Sequence, residues 1–272
     1  MNPPRVSSRG DSWAWVLLVV LVAGGALWVA LGSRGPSVPG AVGVLLDRFT
    51  QDTALNPGLW LANGSAGGTA ASKLTLPPST AVAPTFAFSN DSGLSLAGAG
   101  ADLQAATIQS ATTVTPPFSL VAEAMAPRAG TGFDLLLTDE SANNGLGLTA
   151  TIDSDNGAAG IKYVVPQGQT WAAMGTLFPS PQANTWYTLS ITADDAGKWA
   201  LEVRDGANMV GSAVIPAGHP GLSKGPFYVV LGQSRTATPG AEAGPVSWRS
   251  VQVISGLLSE AAGPPRLRMW RK

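Results

Sequence analysis

The 272-residue sequence contains no cysteine and a single histidine, and both absences exclude whole classes of chemistry. Without cysteine the chain has no disulfide framework, no thiol nucleophile and no thiolate metal site. His219, in the loop-like segment PAGHPG, cannot by itself form a multi-histidine metal centre. We therefore interpret it as a surface loop residue, and the redox compartment of the chain cannot be inferred from its sulfur chemistry.

Charge is also scarce, because only 12% of the residues are Asp, Glu, Lys or Arg, whereas soluble domains average about 25%. The formal net charge of -1 provides no basic field, so we expect no nucleic-acid partner. Hydrophobic residues make up 45% of the chain, together with 33 glycines and 21 prolines. This balance predicts a membrane segment, weakly charged strands joined by turns, or both.

The longest uncharged run, SWAWVLLVVLVAGGALWVALG at residues 12–32, has the length of a transmembrane helix. At about 1.5 Å per residue such a run spans the roughly 30 Å hydrocarbon core of a bilayer. Tryptophans stand near both ends and arginines precede it, which predicts a signal anchor with residues 1–11 in the cytoplasm and the rest outside. The lipid bilayer is then a partner. A signal peptide cleaved near Gly32, which would give a secreted protein, stays open as the alternative.

The remainder of the chain divides into a linker, one domain and a tail. Residues 33–43 are rich in Gly, Pro and Ser and predict a short linker. From 44 to 255, runs of β-branched, leucine and aromatic residues alternate with turn-forming clusters, which predicts an all-β sandwich of antiparallel strands. Alternation in KWALEVR places Trp199 in its core. The tail at 256–272 ends in the basic segment GPPRLRMWRK, which suits anionic lipid head groups, a polyanionic glycan or a solvated extension.

Four segments of the domain resemble the concanavalin A-like lectin/glucanase superfamily: FSLVAEAMAP, GFDLLLTDESANNGLGLTATI, NTWYTLSITADDAGKWALEVRDGANMVGS and YVVLGQSRTATPGAEAGPVSWRSVQVI. The opening DRFTQDTALNPGLW is similar to the N-terminal strand of that group and the tryptophan after it. The resemblance covers residues 45–255. It implies a jelly roll of two large antiparallel sheets, one of them concave, with ligands on that face or in its rim loops. It implies no particular chemistry, because the superfamily includes glycosidases, lyases, lectins and structural modules.

Three carboxylates in GFDLLLTDESANNGLGL, namely Asp134, Asp139 and Glu140, raise the question of a sugar-cleaving enzyme. Such an enzyme needs two carboxyl groups about 5 to 9.5 Å apart. On a continuous strand Asp134 and Glu140 would lie about 20 Å apart, and Asp139 would face the opposite way. No segment matches the Glu-x-Asp-x-x-Glu strand of the superfamily's laminarinase-type glucanases. We predict no catalytic residue; a glycan-active hydrolase or lyase, with carboxylates from different strands, is the alternative.

The sequence predicts no metal site and no cofactor. Asp153 and Asp155 in DSDNG are typical of hairpin turns, and Gly157 and Ala158 occupy critical ligand positions of an EF-hand loop. Calcium held by loops of different strands stays open.

Aromatic side chains are the candidates for a glycan site, because a sugar ring stacks on an exposed aromatic face. Trp171 lies in the segment GQTWAAMG, which we expect to be irregular, and Tyr163 lies on the preceding strand. Trp248, by alternation in VSWRSVQV, is expected opposite the following valines. We predict that these three residues bind a ligand, the alternative being that both tryptophans pack under loops. The expected role is non-catalytic: carbohydrate or glycoconjugate binding, or a structural and interaction role with envelope proteins.

Overall fold

Two antiparallel sheets pack against each other in the computed structural model, which describes residues 42–62, 80–98, 104–141, 143–152, 159–167, 170–222, 224–235 and 244–255. Within these ranges the only helix is a single 3-10 turn, Phe49–Gln51. The strands, in chain order, are β1 Val42–Asp47, β2 Trp60–Ala62, β3 Thr80–Val82, β4 Thr85–Ser89, β5 Gly93–Ala97, β6 Gln104–Val114, β7 Phe118–Met125, β8 Thr131–Thr138, β9 Gly145–Thr151, β10 Gly160–Gln167, β11 Thr170–Phe178, β12 Tyr187–Ala193, β13 Trp199–Asp205, β14 Asn208–Ile215, β15 Phe227–Arg235 and β16 Val246–Ser255.

Each sheet contains eight of these strands. Sheet A has the order β14-β13-β12-β7-β16-β5-β4, with β1 also paired to β16. Sheet B has the order β11-β10-β9-β8-β15-β6-β2, with β3 also paired to β6. The β3–β6 pair is the one parallel pair among the described strands. Neighbours such as β7 and β12 are distant in sequence, as in a jelly roll. The predicted all-β, two-sheet antiparallel sandwich is therefore confirmed.

The main core lies between the two sheets and follows the alternation of the strands. Every second residue of β12 and β13 is buried, and the predicted inward position of Trp199 is confirmed by its exposure of 1%. Its ring packs edge-on against Phe118 of β7, with centroids 5.8 Å apart, and against Phe227 of β15 at 5.5 Å. Because β15 belongs to the opposite sheet, this aromatic cluster joins the two layers of the sandwich.

Trp248 also lies in this core, so the prediction that it faces away from the following valines is wrong. In the pairing of β16 with β7, Trp248 and Ser250 oppose consecutive residues, which leaves Arg249 as the extra residue of a β-bulge. A bulge shifts the alternation of the residues that follow by one position. The Trp248 ring therefore points inward, where it is fully buried and packs edge-on against Phe133 at 6.1 Å.

The segments predicted at the two ends of the chain lie largely outside the described residues. These are the anchor at 12–32, the basic tail at 256–272 and most of the linker, whose last two residues begin β1. In the described part of the chain, no helix has the length and apolar character needed to cross a bilayer.

Candidate ligand-binding site

The face of sheet B that points away from the main core, called here the outer face, is the candidate ligand surface. Along β8, both neighbours of Leu136 belong to the main core, whereas Leu136 itself forms a second apolar cluster with Val164 and Val230. These three residues come from β8, β10 and β15. Since side chains alternate along a strand, Asp134 lies on the same outer face as Leu136.

Trp171 lies at one edge of the outer face. The segment predicted to be irregular is in fact strand β11, the edge strand of sheet B, and Trp171 pairs there with Pro166 of β10. Its half-buried side chain packs against the second apolar cluster. Part of the Trp171 side chain is therefore exposed at the edge of this face, whereas the apolar cluster at its centre is buried.

Tyr163 lies on the other side of the same sheet. Its ring packs against the main core and lies over Gly175 of β11, where a Cβ atom would come within 2.5 Å of Tyr163 Cε1. Only glycine leaves space for the ring at this position. Of the three predicted ligand residues, Trp171 alone is on the outer face, because Tyr163 faces inward and Trp248 is in the core.

Asp134 is the one acidic residue in the described strands of sheet B, and its side chain is only 2% exposed. Burial raises the pKa of Asp134 to about 6, although a hydrogen bond from Ser234 acts in the opposite direction. Its Oδ2 atom has no hydrogen-bond partner within the described part of the chain. The group is therefore ionised at neutral pH and takes up a proton in mild acid.

Gln109 of β6 adds a second buried polar side chain to the outer face. It pairs with Val230, is fully buried, and neither atom of its amide group has a hydrogen-bond partner among the described residues. Sequence reasoning missed both Gln109 and the burial of Asp134. The signal was present for Asp134, because the uninterrupted apolar run after it, Leu135 to Leu137, is typical of a strand buried on both faces.

The other two candidate carboxylates lie in the loop between β8 and β9. Asp139 Oδ1 accepts hydrogen bonds from the backbone N–H of Ser141 (3.1 Å), from Ser141 Oγ (2.9 Å) and from the backbone N–H of Asn143 (3.2 Å). Glu140 is exposed, and both carboxylates border a cavity of about 340 Å³ that Tyr228 also lines. Asp139 is thus a turn residue.

A larger cavity of about 450 Å³ borders the same loop and is lined by Asn143, the end of β10, Met174 of β11 and the segment around His219. His219 Nδ1 lies 2.7 Å from the carbonyl oxygen of Pro220. Since a carbonyl oxygen can only accept, Nδ1 is the donor of this hydrogen bond. The sequence offered no sign that the lone histidine would line a cavity.

A buried carboxyl group outside sheet B serves the packing of the domain's N-terminal part. Trp60 Nε1 donates a hydrogen bond of 2.6 Å to Oδ2 of Asp47. Burial raises the pKa of Asp47 to about 6; the bond from Trp60 opposes this shift, and the neighbouring Asp52 adds to it. Trp60 itself is buried and its ring centroid lies 5.7 Å from that of Phe49.

The described residues include no group of three or more His, Asp or Glu side chains that could hold a metal ion. The DSDNG segment, with Asp153 and Asp155, falls outside them.

Solved structures with the same fold include enzymes and a binding module. β-Agarase A from Zobellia galactanivorans aligns with 82% of this chain and 97% of its own, at 16% identity and a TM-score of 0.55. A putative β-glucanase from Mycobacterium abscessus aligns with 78% of this chain and 100% of its own, at 12% identity and a TM-score of 0.56. The CBM2 module of the evolved Dit protein of Lactobacillus casei BL23 phage J-1 aligns with 79% and 95%, at 12% identity and a TM-score of 0.56.

No protein-family model matches the chain, and a search of curated proteins by similarity found no match either. At these identities the structural likeness concerns the fold and leaves the chemistry open. The chain thus shares with these structures the two-sheet jelly-roll sandwich fold that the sequence resemblance implied.

Proposed function

We propose that this chain is a membrane-anchored, extracytoplasmic β-sandwich that binds carbohydrate or glycoconjugate without cleaving it. The proposal rests on the finding that the described strands of sheet B contain only one acidic residue, Asp134. A glycosidase of the usual kind needs two carboxyl groups across the bond to be broken. Trp171, half-exposed beside an apolar cluster on the same face, is suited to stacking on a sugar ring instead.

The fold comparisons support a glycan as the partner. The agarase and the glucanase are named for the polysaccharides they act on, and the CBM2 module is named as a carbohydrate-binding module. The partly exposed indole of Trp171 supports binding over a purely structural role through envelope proteins.

The alternative function is that of a glycan-active hydrolase or lyase. The raised pKa of Asp134 favours this alternative. A buried carboxyl with a pKa of about 6 suits a general acid. The nearest carboxylate along the chain, Asp139, is already engaged in turn hydrogen bonds. Catalysis would therefore require a partner carboxyl from outside the described strands of sheet B, and we rank binding first.

Calorimetric titration of the full chain in a mild detergent tests the binding proposal. The ligands are laminarihexaose, cellohexaose and agarohexaose, and each mixture is also assayed for reducing ends. We expect binding of at least one hexasaccharide, no release of reducing ends, and a loss of tenfold or more in affinity for Trp171→Ala, since tryptophan anchors typically cost about 2 kcal/mol when truncated. Trp186→Ala, which removes a half-buried tryptophan stacked under Arg249 4.0 Å away, is the matched control.

Three results would overturn the binding proposal. Binding that is lost equally in Trp186→Ala would remove the outer face as the site. Release of reducing ends would establish the enzyme, and failure of all three hexasaccharides to bind would leave the structural role.

Membrane anchoring belongs to the same proposal and rests on the length and flanking residues of the 12–32 run. Protease added to intact spheroplasts should digest the domain while the anchor stays in the membrane fraction. A domain protected from the protease, or a mature N-terminus at Ser33, would contradict the anchor.

A further inference from the structure

The cavity of about 450 Å³ beside His219, called here the His219 cavity, adjoins the outer face through one residue. Pro166 lines this cavity and pairs with Trp171 across β10 and β11. The other β10 residues of the lining, Val165 and Gln167, alternate with Pro166 and therefore point to the opposite side of sheet B from Trp171. The His219 cavity is thus a candidate subsite separate from Trp171. The volume is in the range of small-molecule sites, about 300 to 1,000 Å³.

The wall of the His219 cavity is fixed by two close backbone contacts. Gly221 has a φ of +82°, and a Cβ atom there would lie 2.7 Å from the carbonyl oxygen of Pro166, so only glycine permits this approach. The Gly221 carbonyl accepts a 2.9 Å hydrogen bond from the backbone N–H of Gly145, and Leu222 N–H bonds to the carbonyl of His219 at 3.1 Å. The loop that carries His219 is thus tied to both β9 and β10 and forms a preshaped wall.

The lining of the His219 cavity combines planar polar groups with apolar surface. Asn143 and Gln167 carry side-chain amides, the Gln167 Nε2 lying 3.4 Å from Met174 Sδ, and His219 carries an imidazole whose Nδ1 donates to the Pro220 carbonyl. Pro166 and Met174 contribute apolar surface. A pyranose ring presents hydroxyl groups at its edge and C–H groups on its faces, so this mixture matches it.

The charges around the His219 cavity favour a neutral sugar over an acidic one. None of the described residues that line it is Asp, Glu, Lys or Arg. The cavity of about 340 Å³ that borders the same β8–β9 loop carries two carboxylates, Asp139 and Glu140. A uronate or sulfated unit in the His219 cavity would find no Lys or Arg among its described lining residues to pair with.

We propose that the His219 cavity binds one neutral pyranose unit of a glycan, at a subsite separate from Trp171. This inference rests on the proposed glycan-binding function and adds a second subsite and the class of sugar. His219 and Asn143 are its positioning contacts, from two different loops.

Titration calorimetry on the full chain in mild detergent tests this subsite with laminarihexaose, cellohexaose and agarohexaose as neutral probes and a galacturonic acid hexasaccharide as the acidic probe. His219→Ala and Asn143→Ala should each weaken the neutral probe that binds by about three- to tenfold, the usual loss for one neutral hydrogen bond. Asn143→Ala keeps the turn intact, because the turn uses the backbone N–H of that residue. Lys224→Ala, an exposed change in the same β14–β15 connection, is the matched control and should bind like the wild type. Thermal unfolding of each variant checks that the domain is folded.

The outcomes separate this inference from the proposed function. If Trp171→Ala loses affinity while folded His219→Ala and Asn143→Ala bind like the wild type, the subsite is wrong and the binding function stands. Tighter binding of the galacturonic acid hexasaccharide than of every neutral probe would overturn the neutral class. If the wild type binds none of the four hexasaccharides, both proposals fall together.

Discussion

Gly232 pairs with Asp134 across β15 and β8, and the missing side chain of the glycine leaves the space in which the carboxyl group lies. A Cβ atom at Gly232 would come within 3.1 Å of Asp134 Cβ and 3.2 Å of its Oδ2. On the far side, the same Cβ atom would lie 3.3 Å from Cγ2 of Thr107. The glycine thus makes room for a buried acid at the centre of a sheet. Burial of that acid should lower the free energy of unfolding at neutral pH.

Asp134 should make the domain less stable as the pH rises from about 4 to 6. Burial raises its folded-state pKa from 3.8 to about 6, so the unfolded chain releases this proton at a lower pH than the folded chain. Below about pH 4, Asp134 is protonated in both states and does not lower the free energy of unfolding. As the pH rises through the folded-state pKa, the free energy of unfolding falls by an amount on the order of 3 kcal/mol. Asp134→Asn should remove this part of the pH dependence.

Guanidinium unfolding of the full chain in detergent at pH 4 and pH 7 measures this effect. The fall in unfolding free energy between the two pH values should be smaller in Asp134→Asn than in the wild type by about 2 to 3 kcal/mol. Asp195→Asn, in an exposed turn, should keep the wild-type fall. Equal falls in all three proteins would show that Asp134 is not buried as described.

The hydrogen bond from Trp60 to Asp47 should matter more at neutral than at acid pH. Trp60→Phe removes the donor, which lies 2.6 Å from Asp47 Oδ2 and favours the ionised carboxylate. A hydrogen bond to a charged group contributes about 1.5 to 3 kcal/mol, so the loss of unfolding free energy should be greater at pH 8 than at pH 4 by an amount of that order. Asp47→Asn serves as the background in which this pH difference should vanish. A loss that is independent of pH in both backgrounds would assign the whole effect to packing.

The two candidate tryptophans should differ sharply when they are truncated. Trp248 is fully buried against Phe133, so Trp248→Ala should cost about 3 to 5 kcal/mol of unfolding free energy. Trp171 is half-buried on an edge strand, and Trp171→Ala should cost on the order of 1 kcal/mol. Denaturant unfolding of both variants under one condition makes the comparison. Similar losses would mean that Trp171 is also a core residue and would weaken its assignment to the ligand site.

The contrast between these two tryptophans shows where sequence reasoning succeeds and where it fails. Period-two alternation places Trp199 correctly, because β13 has no irregularity between Trp199 and Val203. The same reasoning fails at Trp248, because the bulge at Arg249 adds one residue and inverts the phase. A bulge depends on the partner strand, so the local sequence does not reveal it.

The candidate site shows the same limit for a different reason. Strand β11 was not recognised, since TWAAMGTLF mixes alanine, methionine and glycine with few β-branched residues and carries register shifts against β10. Without β11, the pairing of Trp171 with Pro166 could not be inferred. These neighbours come from segments that are separated along the chain, and only the pairing of strands brings them together.

The carboxylates that first suggested an enzyme provide the last prediction. Single changes Asp134→Asn, Asp139→Asn and Glu140→Gln should leave the action of the protein on laminarihexaose, cellohexaose and agarohexaose unchanged, with no reducing ends released by any of them or by the wild type. Asp134 is the sole acid on the described strands of sheet B, and the Asp139 oxygen that holds the turn is kept as the amide oxygen of asparagine. Glu140 is exposed, so Glu140→Gln should change the unfolding free energy by no more than about 0.5 kcal/mol. Because a retaining or inverting mechanism fails without either of its two carboxyls, a wild-type turnover that disappears in one of these variants would identify that residue as half of a catalytic pair. Its partner would then have to lie outside the described strands of sheet B, and the protein would be a glycan-active enzyme and not a binding module.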